Sequence, residues 1–318
     1  MAFISSLNFE RKKSKDGLLQ QSVVVFVSFK SLHEGETMAL KAAEKKKLQK
    51  IAFRVREGIV DTTFHCGGSH IGGAFSQTDI MVALYYKYMK LDPKKPLWSA
   101  RDRFILSKGH GGIGHAVILG DLGFFDQKDL KNFNKTGSPF GMHLDWLKVP
   151  GVDASTGSLG HGLSIGIGMA IAARLQKKKW HTYCIMGDGE LNGGPVWEAA
   201  QSAAHFKVTN LTTFIDRNKL CIDGSTEEIM GLEPLADKWE AFGWRVISID
   251  GHDFDQICKA IDDAHAEKEK PVIIIADTIK GKGVKFMEGE KAWHYGGLDE
   301  TARDKALKQL RAAYKGVI

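Results

Sequence analysis

The chain has 318 residues, 43% of them hydrophobic and 26% charged, so it can bury a sizeable core as one large domain or two small ones. Its net charge of +6 is spread along the chain, and the densest basic run, "KAAEKKKLQK", is typical of a solvated helix face. The four cysteines lie far apart, which indicates free thiols in a reducing, cytoplasmic compartment. The spread of the positive charge argues against a nucleic-acid partner. No apolar stretch approaches the roughly 20 residues of a membrane helix, so no membrane partner is expected either.

The first part of the chain precedes any periodic pattern. Its apolar run "SVVVFVSF" is short and follows Glu10 and Asp16, which is a poor match to a signal peptide. We expect residues 1–37 to be an extension outside the fold, either upstream of the true start at Met38 or an arm at an interface. Residues 38–318 would then form the folded domain.

From Met38 onward, helix and strand patterns alternate. A first helix is predicted by apolar residues at helical spacing: Leu48, Ile51, Ala52, Val55 and Ile59. Further helices are predicted at 78–89, in "GHGLSIGIGMAIAARLQ", in "PVWEAAQSAAHF" with Pro195 in its first turn, at about 253–269 and at the carboxyl end. Buried strands are predicted in "DRFILS", "TYCIMG", "LTTFID", "WRVISID" and "PVIIIADT".

This alternation predicts an α/β fold with three layers, in which a mostly parallel sheet carries helices on both faces. In such a sheet the loops after the carboxyl ends of strands converge on one crevice, and ligands bind where the strand order reverses. The stretches "CIMGDGELNGG" and "DRNKL" are both loops that follow predicted strands. They are therefore the first candidates for a binding site.

These two loops offer oxygen ligands for a metal. Asp188 supplies a carboxylate oxygen and Asn218 an amide oxygen, and Leu220 can add its backbone carbonyl. Such a set, completed by phosphate oxygens and water, describes a Mg²⁺ site that recruits a diphosphate. Gly187 and Gly189 let the backbone approach the phosphates, and the helix that begins near Pro195 points its positive end toward them.

The pairing of "GDG" with a later "DRN" resembles the motif of the thiamine diphosphate enzymes. From about residue 45 to 300 the chain is similar to the amino-terminal half of transketolases, in the form where the enzyme is split into two polypeptides. The similarity rests on "GSHIGG", "DRFILSKGHG", "GMHLDWLKVPGVDASTGSLGHG" and "IKGKGVKFMEGEKAWHYG". It implies the diphosphate-binding domain of the thiamine diphosphate-binding fold, with Mg²⁺ or another divalent cation such as Ca²⁺ or Mn²⁺.

The similar segments place four histidines in glycine-flanked or strand-end loops, where sites are usually built: His70, His110, His143 and His294. The resemblance implies that all four are catalytic. His110 and His294 would contact the diphosphate and the space above the thiazolium ring, and His70 and His143 would face the hydroxyls of the donor sugar. Imidazoles suit these roles because they donate to anions and carry protons near neutral pH. The other cofactor contacts implied are Gly157, Ser158, Leu159, Gly189, Glu198 and Asn218.

The chain departs from the family pattern at three positions. Gly193 stands where a glutamate is usual, so one of two interfacial carboxylates is absent, whereas Glu198 matches the other. His161 stands where glutamine is usual, and Leu144 where proline is common. These departures bear on communication between paired sites and on donor preference more than on cofactor binding.

The reaction implied is transfer of a two-carbon ketol unit from a ketose phosphate to an aldose, with the cofactor as electron sink. In the family the activating glutamate comes from a pyrimidine-binding domain, for which the residues after His294 leave no room. The resemblance therefore implies a hetero-oligomer with a C-terminal transketolase subunit, with two copies of each chain. The alternatives are a non-catalytic regulatory subunit that binds thiamine diphosphate, or a subunit of a related enzyme such as a deoxyxylulose phosphate synthase or a 2-oxo acid decarboxylase.

Overall fold

The computed structural model describes residues 40–318, and the expectation for residues 1–37 lies outside the described residues. The helices of this range are α1 (Ala42–Cys66), α2 (Ile71–Ser76), α3 (Thr78–Ala83), α4 (Gly112–Asp121), α5 (Gly162–Leu175), α6 (Gly194–His205), α7 (Thr226–Met230), α8 (Leu235–Ala241), α9 (Phe254–Ala266) and α10 (Glu300–Ala313). The strands are β1 (Arg103–Leu106), β2 (Thr182–Gly187), β3 (Leu211–Arg217), β4 (Arg245–Asp250) and β5 (Val272–Asp277). A π-helical turn, Leu84–Tyr88, continues α3, so the helix predicted at 78–89 is present with a change of winding.

The five strands form one parallel sheet in the order β1-β2-β3-β5-β4. Gly187 of β2 pairs with Asp216 of β3, and Arg217 of β3 pairs with Asp277 of β5. The carboxyl ends of these three strands therefore finish side by side at one edge of the sheet. The parallel α/β fold predicted from the alternating patterns is confirmed.

Helices cover both faces of the sheet. Phe104, Tyr183 and Phe214 point to one face, where they pack in a core with α1 to α4, α9 and α10. Ile105 and Cys184, next to them along the strands, point to the other face and pack with α5, α6 and α8. Successive side chains of a strand point to opposite faces, so continuous apolar strands are what a sheet buried on both sides requires.

The path of the chain opens a crevice at the carboxyl edge. After β2 and β3 the chain runs to α6 and α8 on one face, whereas after β1 and β5 it runs to the opposite face. The crevice lies between these diverging segments, as is usual in parallel sheets. The strand order reverses between β4 and β5. Asp188 and Asn218 follow β2 and β3, so they do not lie at the point of reversal.

The sequence patterns do not predict α4, and the reason is its surroundings. Every residue from Gly112 to Gly120 is buried, so the helix has no polar face and no amphipathic period. Its glycine-rich start was consistent with a turn after β1. Among the helices of residues 40–318, none combines the length and the apolar character needed to cross a membrane.

Candidate active site

The two loops expected to hold a metal meet at the carboxyl edge of the sheet. The side chain of Asp188 is buried, and its two oxygens accept the N–H groups of Gly189 at 2.8 Å and Lys219 at 2.5 Å. Asn218 immediately precedes Lys219, and its Oδ1 accepts the N–H of Leu220 at 3.2 Å. A left-handed backbone at Lys219, with φ of 65°, makes this turn. Asp188, Asn218 and Leu220 are thus brought together, as their spacing led us to expect.

The charge of Asp188 is incompletely balanced. Burial raises its pKa, and the carboxylate of Asp216 adds to this effect, against the opposing N–H groups and Arg217. Arg217 lies 3.3 Å from Asp188 but also pairs with Glu227 and Glu233, at 2.8 and 3.0 Å. A bound cation would stabilise the charged form of Asp188.

The donor atoms near Asp188 suit a hard cation. Nowhere in residues 40–318 are three His, Cys, Asp or Glu side chains grouped as metal ligands. A metal here would therefore also take the amide oxygen of Asn218, backbone oxygen and ligand oxygens. Mg²⁺ is usually held in this way, through one or two carboxylates and the phosphates of its substrate.

A buried ion pair between Lys108 and Asp216 forms the floor of the crevice. Lys108 Nζ donates to an oxygen of Asp216 and to the carbonyl of Gly73, the latter at 3.0 Å. Ser76 donates its hydroxyl to Asp216 at 2.6 Å, and Thr278 donates to the other carboxylate oxygen. Burial alone would raise the pKa of Asp216, but Lys108 and the two hydroxyls lower it. The pair joins the ends of β1, β3 and β5 to helix α2.

Three of the four predicted histidines lie against one another. The ring centroid of His70 is 5.0 Å from that of His110 and 5.2 Å from that of His294, and His110 stacks on His294 at 5.3 Å. Burial lowers the pKa of His70 to about 4, of His110 to about 2 and of His294 to about 3, with further lowering from neighbouring cationic groups. The three rings are therefore neutral at pH 7 and can each offer one donor and one acceptor.

Lys280 brings a buried positive charge to these histidines. Its side chain is 2% exposed, and Nζ lies 3.2 Å from Nδ1 of His294. No carboxylate of the described chain forms a salt bridge with Lys280, and burial together with the charge of Lys108 lowers its pKa to about 8. An anion placed beside Lys280 would stabilise its charged form. A cation would stabilise the charge of Asp188 and an anion would stabilise that of Lys280. The crevice therefore fits a diphosphate with a bound metal.

The fourth histidine, His143, is exposed at the rim of the crevice. Its ring borders Gly157, where an added Cβ would lie 3.4 Å from the imidazole, and His143 is one of the groups that lower the pKa of His70. After Gly157 come the exposed residues Ser158 and Leu159, the latter 44% exposed, and then Gly160 with a left-handed φ of 86°.

The remaining predicted residues lie on the other side of this turn. Gly189 belongs to the Asp188 loop, and Glu198 is exposed on α6, which begins at Gly194. Gly193 is the N-cap residue of α6, and His161 is that of α5, with its Nδ1 3.0 Å from the carbonyl of Leu159.

The sequence analysis did not identify the Lys108–Asp216 pair, nor two further charged residues of the crevice, Lys280 and Glu190. Lys280 lies in the quoted segment "IKGKGVKFMEGEKAWHYG", but only its burial beside His294 identifies it. Glu190, directly after "GDG", is 4% exposed, and its carboxylate accepts hydrogen bonds from Ser107, from the N–H of Gly160 at 2.7 Å and from the N–H of Gly187 at 3.0 Å. The sequence did offer a signal for Glu190, because an exposed carboxylate next to a diphosphate loop would repel the ligand. An acidic residue at this position is therefore expected to be buried and hydrogen-bonded.

Comparison with known proteins agrees with this geometry. Residues 47–315 match the family model described as "Transketolase, thiamine diphosphate binding domain". The match covers most of the chain. The chain therefore belongs to the transketolase family, as its thiamine diphosphate-binding domain. Thiamine diphosphate is accordingly the cofactor of this fold, and the resemblance inferred from the motifs is confirmed.

Similar proteins include both split and single-chain transketolases. The 6-deoxy-6-sulfo-D-fructose transketolase subunit SqwG of a Clostridium species is 42% identical over 83% of this chain and 96% of its own length. An apulose-4-phosphate transketolase subunit of Phocaeicola vulgatus is 39% identical over 80% of this chain and 90% of its own length. The structure of transketolase from Campylobacter jejuni matches with a TM-score of 0.78 and 31% identity over 85% of this chain, but only 45% of that chain.

These lengths distinguish between the two forms. The chain spans less than half of single-chain transketolases and nearly all of the split subunits. It is an N-terminal transketolase subunit, which makes it part of a transferase. The alternatives of a regulatory subunit or a subunit of another thiamine diphosphate enzyme are not favoured.

Proposed function

We propose that this chain, together with a C-terminal transketolase subunit, transfers a two-carbon ketol unit from a ketose that carries an anionic group to an aldose. The observation that supports it most is the convergence, in one crevice, of the Asp188 and Asn218 loops with a cluster of three histidines and Lys280. The four free cysteines fit a reducing compartment, and we place the assembly in the cytoplasm.

The oxygen ligands at the carboxyl edge would hold the metal. Asp188 and the amide oxygen of Asn218, with the carbonyl of Leu220, would bind Mg²⁺ or another divalent cation. Lys280 and His294, whose nitrogens lie 3.2 Å apart, would both donate to the diphosphate. Gly189 packs closely against Cys221, since an added Cβ there would lie 3.3 Å from the Cβ of Cys221.

The histidines would act on the sugar. Thiamine diphosphate, when bound, supplies the carbon nucleophile and the electron sink. Neutral imidazoles at His70 and His110 can donate and accept hydrogen bonds with the hydroxyls of the substrate, and His143 faces the same space from the rim. The buried Nδ1 of His70 has no hydrogen-bond partner in the described chain, so a ligand that reached it would satisfy this atom.

A partner chain must complete the site. The single-chain relatives are more than twice as long as the matched region, and the named subunits imply a second polypeptide. We propose an assembly with two copies of each chain, in which the partner supplies the pyrimidine-binding side. The substrates named for SqwG and for the Phocaeicola protein both carry a terminal anionic group, a sulfonate or a phosphate.

An activity assay with separate and combined chains tests the proposal. Each chain alone and the two together are incubated with Mg²⁺, thiamine diphosphate, ribose 5-phosphate as acceptor and one donor at a time. The donors are xylulose 5-phosphate, 6-deoxy-6-sulfofructose and apulose 4-phosphate. We expect turnover only with both chains. Substantial turnover by this chain alone, in a preparation free of host transketolase, would contradict the two-chain assignment.

A further inference from the structure

We infer that Glu190 is a positioning residue that fixes the turn at residues 157–160 relative to the Asp188 loop. This inference rests on the proposed function, because it concerns how the two parts of the cofactor site are held at the right separation. Glu190 touches neither the expected metal ligands nor the histidines. It acts through the three chain segments whose hydrogen-bond donors meet at its carboxylate.

The hydrogen bonds of Glu190 require a carboxylate. Oε1 accepts the Ser107 hydroxyl and the N–H of Gly160 at 2.7 Å, and Oε2 accepts the N–H of Gly187 at 3.0 Å. Because Ser107 donates its only proton to Glu190, its oxygen is free to accept the N–H of Gly162 at 3.1 Å. An ionised carboxylate is an acceptor at both oxygens, whereas an amide would present an NH₂ group to one of these donors.

The bonded groups belong to different elements. Ser107 directly follows β1, Gly187 is the last residue of β2, and Gly162 is the first residue of α5. Gly160 ends the turn that contains Leu159. A single buried carboxylate therefore ties the ends of two neighbouring strands to this turn and to the start of the helix after it.

The turn depends on this attachment because its tip is exposed. Ser158 and Leu159 are exposed, so side-chain packing does little to hold them, and Gly160 needs its left-handed backbone. The adjoining backbone is tightly fitted, since a Cβ added at Gly162 would lie 2.3 Å from Ser107 Oγ. Loss of the Glu190 carboxylate would release the turn on one side while leaving Asp188 and its N–H contacts in place on the other.

Two ligands of different length distinguish positioning from general stability. Pyrophosphate with Mg²⁺ would be held by the Asp188 loop and by Lys280 and His294, whereas thiamine diphosphate would also contact the turn at residues 157–160, as the resemblance implies. Release of the turn should therefore weaken the whole cofactor and spare pyrophosphate. A general loss of stability would weaken both ligands alike. Outer residues that orient a metal or ligand site commonly contribute about 10-fold to 100-fold in affinity.

The test compares Glu190→Gln with the unaltered chain and with Glu240→Gln, the same chemical change at an exposed position of α8. Each is prepared in complex with the C-terminal subunit, and calorimetry measures the Kd of thiamine diphosphate and of pyrophosphate with Mg²⁺. We expect Glu190→Gln to raise the Kd of thiamine diphosphate by about 10-fold to 100-fold, with the Kd of pyrophosphate and both values for Glu240→Gln unchanged.

Hydrogen exchange of the chain supplies a second measurement. In Glu190→Gln, faster exchange should be confined to residues 157–162 and to Gly187, while Gly189, β3 and β5 stay protected. If this variant does not fold, Ser107→Ala, which removes one donor to Glu190 and the acceptor of the Gly162 N–H, is expected to give the same pattern with a smaller change.

Each outcome bears on a different statement. Equal loss of both ligands, or no loss of either, would overturn the role given to Glu190. Failure of the unaltered complex to bind thiamine diphosphate would overturn the proposed function, and the role of Glu190 with it.

Discussion

Replacement of Arg56 by methionine should destabilise the protein strongly, although Arg56 lies outside the active site. Its side chain is fully buried and donates to both oxygens of Asp79, at 2.9 and 2.8 Å, to the carbonyl of Phe75 at 2.9 Å and to the hydroxyl of Tyr314 at 2.6 Å. Methionine fills similar space but removes all four bonds. Asp79 would keep one hydrogen-bonding partner, His252, whose Nδ1 lies 2.8 Å away.

The expected size of the effect follows from the buried charge that remains. Removing one partner of a buried ion pair typically costs about 3–5 kcal/mol, because the other charge is left uncompensated, so we expect a loss of that size for Arg56→Met. Arg311→Met is the matched control, since Arg311 is exposed and lies 3.4 Å from Glu57. It should cost at most about 1 kcal/mol.

The pH dependence of this loss has a definite sign. Burial by itself would raise the pKa of Asp79, but Arg56 reverses this and holds it far below its usual value. In the unaltered protein the carboxylate therefore stabilises the fold above the unfolded pKa of about 3.9, and this contribution is lost as the pH falls below it. In Arg56→Met the buried carboxyl gains from protonation, so the difference between the two proteins should shrink from pH 7 toward pH 4.

Urea denaturation of the chain at pH 7 and at lower pH measures both quantities. The double variant Arg56→Met with Asp79→Asn should recover part of the stability, since no unpaired charge remains. A deficit for Arg56→Met no greater than that of Arg311→Met, or one that does not depend on pH, would refute this account.

Three further predictions concern the site and the domain boundary. Asp188→Ala and Asn218→Ala should each abolish Mg²⁺-dependent binding of thiamine diphosphate in the complex without unfolding it. The control Asp223→Ala, at an exposed loop position, should bind normally in calorimetry. Unchanged affinity in Asp188→Ala or Asn218→Ala would refute the metal assignment. Affinity for the diphosphate should fall as the pH rises through about 8, where Lys280 loses its charge, and Lys280→Met should bind weakly and lack this fall. A chain that starts at Met38 should fold and assemble like the full chain in size-exclusion chromatography, and loss of assembly would show that residues 1–37 are an interface arm.

Local patterns in the sequence predicted the buried strands and the loops that follow neighbouring strands. The strand "TYCIMG" matches β2 at Thr182–Gly187 because its apolar residues are buried on both faces of the sheet. The loops with Asp188 and Asn218 could be paired because parallel strands bring their carboxyl ends to one edge. The resemblance to a known family then singled out four of the 12 histidines, a choice that their chemistry alone would not make.

The rest of the site depends on contacts between distant residues. Glu190 meets Ser107, 83 positions earlier in the chain, and no periodicity records such a contact. The pKa of Lys280 depends on its burial and on Lys108, and sequence reasoning gives neither. Helix α4 escaped prediction for a related reason, because burial on all sides removes the polar face by which helices are recognised.

The sheet order has a consequence for synthesis of the protein on the ribosome. The last strand to be made, β5, lies between β3 and β4, so β4 has no neighbour in the sheet until residues 272–277 have emerged. Such late, long-range pairing of parallel strands is slow and leaves strand edges open meanwhile. Thr278, which bonds Asp216, and Lys280 arrive with this same strand. The nascent chain therefore acquires the buried charge of Lys280 in the step that closes the sheet, and an earlier intermediate would lack both this charge and the closed sheet.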